Sequence, residues 1–301
     1  MSYLVIVNSK SGTARDRGSS NLRADLESAF AERNVAADIH LVHPRDLEGT
    51  IRQAVAGHDG KRRIVVGGGD GSLSTAASLL SGTQIPLGVL SLGTMNLLAR
   101  AIGMPLDPVE AINALIDAQP AKIDLLNVGG RKVLMHASIG LQPKIIRIRE
   151  ALPYRTRFIR LLNGLIAWAR ATRKIQRMRI SGKMGERQFE RNASAVLISN
   201  NVLPEGVAEA PVAHNLGGGK VAIYVTESKK RSDLVRLALS TSMGVWRQSD
   251  LIEEFTTTEF EIDADRQSLL VSLDGELVTF DTPISVNIMP GALSILVPLH
   301  G

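Results

Sequence analysis

The chain has 301 residues, 44% hydrophobic and 22% charged, with a formal net charge of +5 at pH 7. That is the make-up of an ordinary globular protein of one large or two medium domains, which excludes disordered and fibrous classes. No apolar run approaches the roughly 18 residues of a membrane-spanning helix, and the lack of cysteine excludes disulfides, iron–sulfur clusters and thiol catalysis.

Along the first 125 residues, strand-like and helix-like patterns alternate. Tyr3–Asn8 is a short continuous apolar run, as for a strand buried on both faces. Met1–Asn8 has neither a basic n-region nor a cleavage site and is not expected to be a secretory signal. Helical spacing runs from about Ser20 to Arg33, with Leu22, Leu26, Ala29 and Phe30 on one face. Strands are expected at Asp38–Val42, Arg63–Val66 and Pro86–Leu90, with helices near Leu47–Ala56, Ser72–Leu80 and Asn96–Ile102. Such alternation predicts a parallel sheet with right-handed crossovers, a fold that binds ligands at the carboxyl ends of its strands.

After about Asp124, strand patterns follow one another with few helices between them. Candidates are Ile123–Val128, Lys132–Ser138, Ala193–Ser199, Lys220–Thr226, Glu259–Asp263, Ser268–Leu273, Leu277–Phe280 and Ile284–Ile288. A mainly antiparallel second domain is expected, interrupted by helix before Arg179 and near Ser232–Met243. The charge is uneven. Between Pro143 and Arg179, eleven Lys or Arg face one acid, Glu150, so this band carries +10 and the rest of the chain −5.

Three turns carry candidate chemistry. Gly67-Gly68-Gly69-Asp70-Gly71-Ser72 ends one buried strand and opens a helix. Glycines there let backbone approach a phosphate, and helix N-terminal amides favour negative charge. Asp70 could hold a metal ion, bind a ribose or cap the helix, with Ser72 as the other candidate cap. Ser91-Leu92-Gly93-Thr94-Met95-Asn96 repeats the arrangement one strand later, and Asn8-Ser9-Lys10-Ser11-Gly12 follows the first strand. Each turn alone reads as capping; three on one sheet edge point to a polyanionic ligand. Asp274-Gly275 between two apolar runs is a hairpin signal, and the tip would present Asp274 and Glu276, carboxylates able to accept a proton from an attacking hydroxyl. The six histidines have no metal-site spacing, and no nucleophile elbow or Walker-type loop is present.

Taken together these motifs resemble the diacylglycerol kinase catalytic-domain family, in particular bacterial lipid kinases that also look like sphingosine kinases. The likeness is collinear over nearly the whole chain. It passes through Asn8–Gly12, Gly68–Ser72, Pro86-Leu87-Gly88, Gly93–Asn96, Leu98-Ala99-Arg100, Gly103-Met104-Pro105, Asp124-Leu125, Asp274-Gly275-Glu276 and Pro290–Leu293. The resemblance implies a Rossmann-like α/β nucleotide-binding domain at 1–125 with a returning strand at about 290–301. It also implies an antiparallel β-sandwich lipid-substrate domain at 126–289 that contains the basic helical insertion at about 143–179, with the active site in the cleft between them. By position it assigns the ATP site to Asn8, Ser9, Lys10, Ser11, Gly12, Gly68, Gly69, Asp70, Gly71, Ser72, Leu73, Ser74, Thr75, Gly93, Thr94 and Asn96. Asp70 would serve the phosphates and their Mg2+, and Asp274 or Glu276 would be the general base. The chain departs from the family at Leu97 and at Gly217-Gly218-Gly219, where many members carry acids of an auxiliary metal network. That accessory site is expected to be absent or rebuilt. Ser9, Ser74 and Thr75 also replace common family residues.

The expected activity is ATP- and Mg2+-dependent phosphorylation of a lipid hydroxyl, with diacylglycerol as the default acceptor. The expected location is cytoplasmic, peripheral at the inner membrane surface. The basic band, with Ile159, Leu161, Leu162, Leu165, Ile166 and Trp168 beside its cations, would dock on anionic lipid; a solvated helix packed on the protein is the bland alternative. Two other functions stay open, a NAD kinase-like phosphotransferase on a soluble substrate and a catalytically weakened lipid- or nucleotide-binding regulator. Nucleic acid is not an expected partner, because aromatic residues are only 4% of the chain.

Overall fold

A computed structural model describes residues 2–152, 157–173, 175–205, 213 and 215–299, and within these leaves out the side chains of 157–162, 165 and 187. The chain forms two compact units, one of Met1–Leu125, His214–Gly218 and Met289–Gly301, the other of Leu126–Ala213 and Gly219–Ile288.

The first unit is an α/β domain. Its elements are β1 (Ser2–Asn8), α1 (Gly12–Arg17), α2 (Ser19–Glu32), β2 (Ala36–Val42), α3 (Pro44–Ala56), β3 (Arg62–Gly68), α4 (Asp70–Leu80), β4 (Leu87–Ser91), α5 (Leu97–Ala101), α6 (Pro108–Asp117) and most of β5 (Gln119–Val128). Strands β2, β1, β3 and β4 pair in that order, all parallel, and Val5, Ile6, Val7, Ile64, Val65 and Val66 are essentially inaccessible. Burial on both faces explains why β1, β3 and β4 read as nearly continuous apolar runs, whereas β2 at the edge is half-exposed. Helix α2 buries Leu22, Leu26, Ala29 and Phe30, the face that its spacing predicts. Helix α6 starts where Asp107 accepts hydrogen bonds from the Val109 and Glu110 amides and Pro108 takes the first turn.

The second unit is an antiparallel sandwich. It holds β6 (Arg131–Val133), β7 (His136–Gly140), α7 (Leu141–Glu150), α8 (Arg157–Ala171), β8 (Met178–Met184), β9 (Arg187–Ala193), β10 (Ala195–Asn200), β11 (Val221–Thr226), α9 (Arg231–Ser242), β12 (Ile252–Thr257), β13 (Glu259–Ala264), β14 (Ser268–Leu273) and β15 (Glu276–Asp281). One sheet runs β12-β11-β10-β7-β14-β15. Facing it are β9, β8, β13 and the first part of β16 (Ile284–Val297). One core joins both sheets, with Ile139, Ile198, Ile223 and Val271 from the first meeting Ile180, Ile262 and Val286 from the second. The later residues of β16 belong to the first unit, where Ile295 pairs with Leu87 of β4 in parallel.

Several expected elements differ. The strand expected at Lys132–Ser138 is broken into β6 and β7, because the Leu134, Met135 and His136 amides turn to the Asp274 carboxylate instead of a ladder partner. Helix α5 begins one residue later than its spacing suggests, since Asn96 is left-handed with φ of 53°. The basic stretch is two helices, α7 and α8, and the strand expected at Ile284–Ile288 continues to Val297. Helix α1 is too short to have a visible period. No described helix is long and apolar enough to cross a membrane.

Candidate active site

In the first unit, three turns leave the carboxyl ends of β1, β3 and β4 and are tied together by backbone. The Leu92 amide donates to Gly68 O at 2.8 Å, and the Thr13 amide donates to Leu92 O at 3.1 Å. Asn8 closes the third side, its Nδ2 donating to Ser72 Oγ at 3.0 Å while its Oδ1 accepts from the Lys10 amide. The turns after β3 and β4 approach so closely that a Cβ on Gly93 would stand 2.7 Å from Gly69 Cα. A Cβ on Gly68 would collide with Ser72. Gly93 is therefore required by the space between two backbones, and Gly68 by the Ser72 side chain packed over it.

Asp70 opens α4 and reaches across to the next turn. Its two carboxylate oxygens accept from the Asn96 amide at 3.1 Å and the Leu97 amide at 2.7 Å. Asn96 in turn accepts from the Gly93 amide at 2.9 Å. Of the roles open to Asp70 from its position, a helix cap is present, but for α5 rather than for its own helix. Ser11 Oγ and Ser91 Oγ are buried in this region with no hydrogen-bond partner among the described residues.

This arrangement brings together Asn8–Gly12, Gly68–Thr75 and Gly93–Asn96. Lys10, Gly71 and Thr94 are exposed, and Ser9, Gly12, Gly69, Asp70, Ser72, Ser74 and Thr75 are half-buried. Leu73 is wholly buried, so its side chain belongs to the core. The glycine cradle fits a phosphate chain. For Mg2+ the donor set is thin, since among the described residues no group of three His, Cys, Asp or Glu could hold a metal. Mg2+ commonly takes one or two carboxylates and completes its shell with substrate phosphates and water. Asp70 fits that mode rather than a cage of side chains.

Asp274 and Glu276 lie in the second unit. Asp274-Gly275 joins β14 to β15, with φ of 47° and 96° and Leu273 paired to Glu276. Two left-handed residues in a two-residue loop are the geometry of a type I′ turn. Asp274 accepts from the Leu134 amide at 2.7 Å, the Met135 amide at 2.9 Å and the His136 amide at 3.0 Å. Glu276 is exposed, with Arg131 at 3.9 Å. One carboxylate is committed to backbone and the other faces solvent.

Asp124 has no role expected from the sequence alone. It is 2% exposed, its carboxylate accepts from the Gly291 amide at 2.8 Å, and its own amide donates to Leu216 O. It thereby fastens three separate stretches of the first unit. Of the band's expected lipid-facing residues, the side chains of Ile159, Leu161, Leu162 and Leu165 lie outside the described residues, as does Lys174. Ile166 and Trp168 are half-buried, Arg170 and Arg173 are exposed, and Arg231 stacks 5.7 Å from the Trp168 ring.

Residues 2–128 match the diacylglycerol kinase catalytic domain, and residues 143–297 match the YegS C-terminal NAD kinase beta sandwich-like domain. A Pseudomonas syringae pv. tomato protein described as "probable lipid kinase YegS-like" is 36% identical over 134 residues, 42% of this chain and 43% of that one. The match thus spans less than half the length of that relative. One of the same description from Chromohalobacter salexigens is 25% identical over 258 residues, 81% of this chain and 78% of its own. A crystal structure of a diacylglycerol kinase from Bacillus anthracis str. Sterne superimposes with a TM-score of 0.68 at 19% identity, covering 98% of this chain and 96% of that one.

Proposed function

From a chain that belongs to the diacylglycerol kinase catalytic-domain family, we infer a lipid kinase that moves the γ-phosphate of ATP to a lipid hydroxyl, with diacylglycerol as the first acceptor to try. The observation that carries this reading is the joining of three phosphate-suited turns, after β1, β3 and β4, into one cradle. Phosphoryl transfer is mostly positioning and charge neutralisation, so a cradle of amides and few side chains suffices.

In this reading the turns at Asn8–Gly12, Gly68–Thr75 and Gly93–Asn96 bind the nucleotide, with Lys10 the exposed cation at the rim. Asp70 holds the β3 and β4 turns in register and is the carboxylate available to a phosphate-bound Mg2+. When bound, that ion neutralises charge on the phosphate oxygens. Glu276, uncommitted to backbone, is the better placed of the two hairpin acids to take the proton from the acceptor hydroxyl, and Asp274 positions the hairpin.

The enzyme works at a membrane surface in this reading. Arg170, Arg173, Lys229, Lys230 and Arg231 are exposed cations of the second unit. Helix α9 adds Val235, Leu239 and Met243, 41%, 57% and 58% exposed at a four-residue spacing, so on one stripe. Basic residues beside exposed apolar ones suit an anionic leaflet.

The test is incubation with radiolabelled ATP, Mg2+ and a panel of lipid alcohols in mixed vesicles. Label in the lipid fraction supports the kinase. Tight ATP binding with no labelled lipid from any acceptor overturns it in favour of a regulator.

A further inference from the structure

A cavity of about 150 Å³ opens in the second unit where α7 passes the start of β14. Its floor is core, with Ile139 and Leu269 buried, and half-buried Leu270 lies at its side. Lys144, Arg147 and Arg266 line it, and none of its lining residues is an acid. Lys144 and Arg147 are three residues apart on α7 and so share a face. The Lys144 ammonium donates to Ala171 O at 2.8 Å, which fixes its direction, while Arg147 and Arg266 are exposed.

Size and charge together select a ligand class. The volume falls short of the roughly 300 Å³ at which sites for drug-sized ligands begin, so it suits a small group rather than a whole lipid. A phosphate ester fits, with its charge toward the three cations and its first carbons against Leu270. Leu270 stands four residues before Asp274 on β14, about 13 Å at the rise of a strand. A group held in the cavity is therefore well away from the hairpin acids.

We propose that this cavity is a second ligand site, for the phosphate ester of an anionic lipid or of a free phosphate compound. The site stands on its own geometry; its value as an input from anionic lipid or product rests on the lipid-kinase reading.

Calorimetric titration of the full chain, without nucleotide, tests it with monomeric dioctanoyl phosphatidic acid and inorganic phosphate, and dioctanoylglycerol as the uncharged control. The expected result is at least tenfold tighter binding of phosphatidic acid than of dioctanoylglycerol. R147Q/R266Q should lose at least tenfold, and R23Q/R52Q, changed at exposed arginines of the first unit, should keep the parent affinity. Inorganic phosphate that competes on equal terms assigns the site to free phosphate compounds, and a tenfold advantage of the lipid assigns it to a phospholipid. Either result supports the site. Undiminished binding by R147Q/R266Q, an equal loss in R23Q/R52Q, no preference over dioctanoylglycerol, or no binding overturns it. Because ATP is left out, binding without lipid labelling keeps the site and removes the kinase, and labelling without binding does the reverse.

Discussion

Asp70 and Asp274 sit in different units yet do similar local work. Each carboxylate spends its lone pairs on backbone amides of a neighbouring segment, Asn96 and Leu97 for Asp70, Leu134 to His136 for Asp274. The surroundings differ. Asp70 stands half-buried beside a glycine cradle where two main chains nearly touch, whereas Asp274 sits in a left-handed hairpin position with an exposed acid, Glu276, two residues on. Both aspartates are thus clamps between segments, and what distinguishes them is the surroundings rather than the hydrogen bonds.

Substitutions can break this contrast. The largest effect is expected for Asp70→Ala, which removes the acid of the cradle and frees two turns from each other. Lipid labelling should fall by about 10³-fold or more, with an unfolding cost of ~1–3 kcal/mol for the unpaired amides. Retained turnover would make Asp70 purely structural. Glu276→Gln should lower kcat by about 10²-fold or more while the thermal midpoint stays put; an unchanged kcat returns Glu276 to an ordinary turn residue. Asp274→Ala should behave oppositely, costing ~3 kcal/mol or more for three accepted hydrogen bonds and a left-handed site given to alanine. Denaturant unfolding reads this, and wild-type stability with lost turnover would reverse the roles of the two acids.

Gly93→Ala should cost ~1–3 kcal/mol by forcing the two turns apart and weaken ATP binding by an order of magnitude, as nucleotide titration would reveal. The smallest change lies away from both turns. Burial pushes the Tyr224 phenol up to about 12, and the Leu203 amide donates to its oxygen. A raised folded-state pKa gives stability that is present below the ordinary value of 10 and lost as pH climbs toward 12. Tyr224→Phe should cost ~1 kcal/mol near neutrality, and its deficit against the parent should shrink between pH 10 and 12 in urea unfolding.

Strands β1, β3 and β4 were legible because they are largely buried on both faces and the turns that follow them contain glycine. The buried face of α2 was legible from Leu22, Leu26, Ala29 and Phe30. What stayed hidden needs a partner distant in sequence. Asp70 capping α5, Asp274 breaking a strand into β6 and β7, and Asp124 binding Gly291 are contacts across long stretches of chain. No local period records them. The cavity beside α7 was equally silent, because Arg266 joins Lys144 and Arg147 only after β14 pairs with β7.

The path of β16 bears on how the chain matures. Its closing residues complete the sheet of the first unit beside β4, and Ala292 O accepts from the Gly82 amide. During synthesis the first unit must wait, with one flank of β4 lacking its partner, until the whole sandwich has left the ribosome. Such non-local closure is slow to form, and it leaves a hydrophobic edge open to wrong partners in the meantime. Residues 1–125 produced alone should therefore aggregate, and a fragment joined through a short linker to 289–301 should remain in solution.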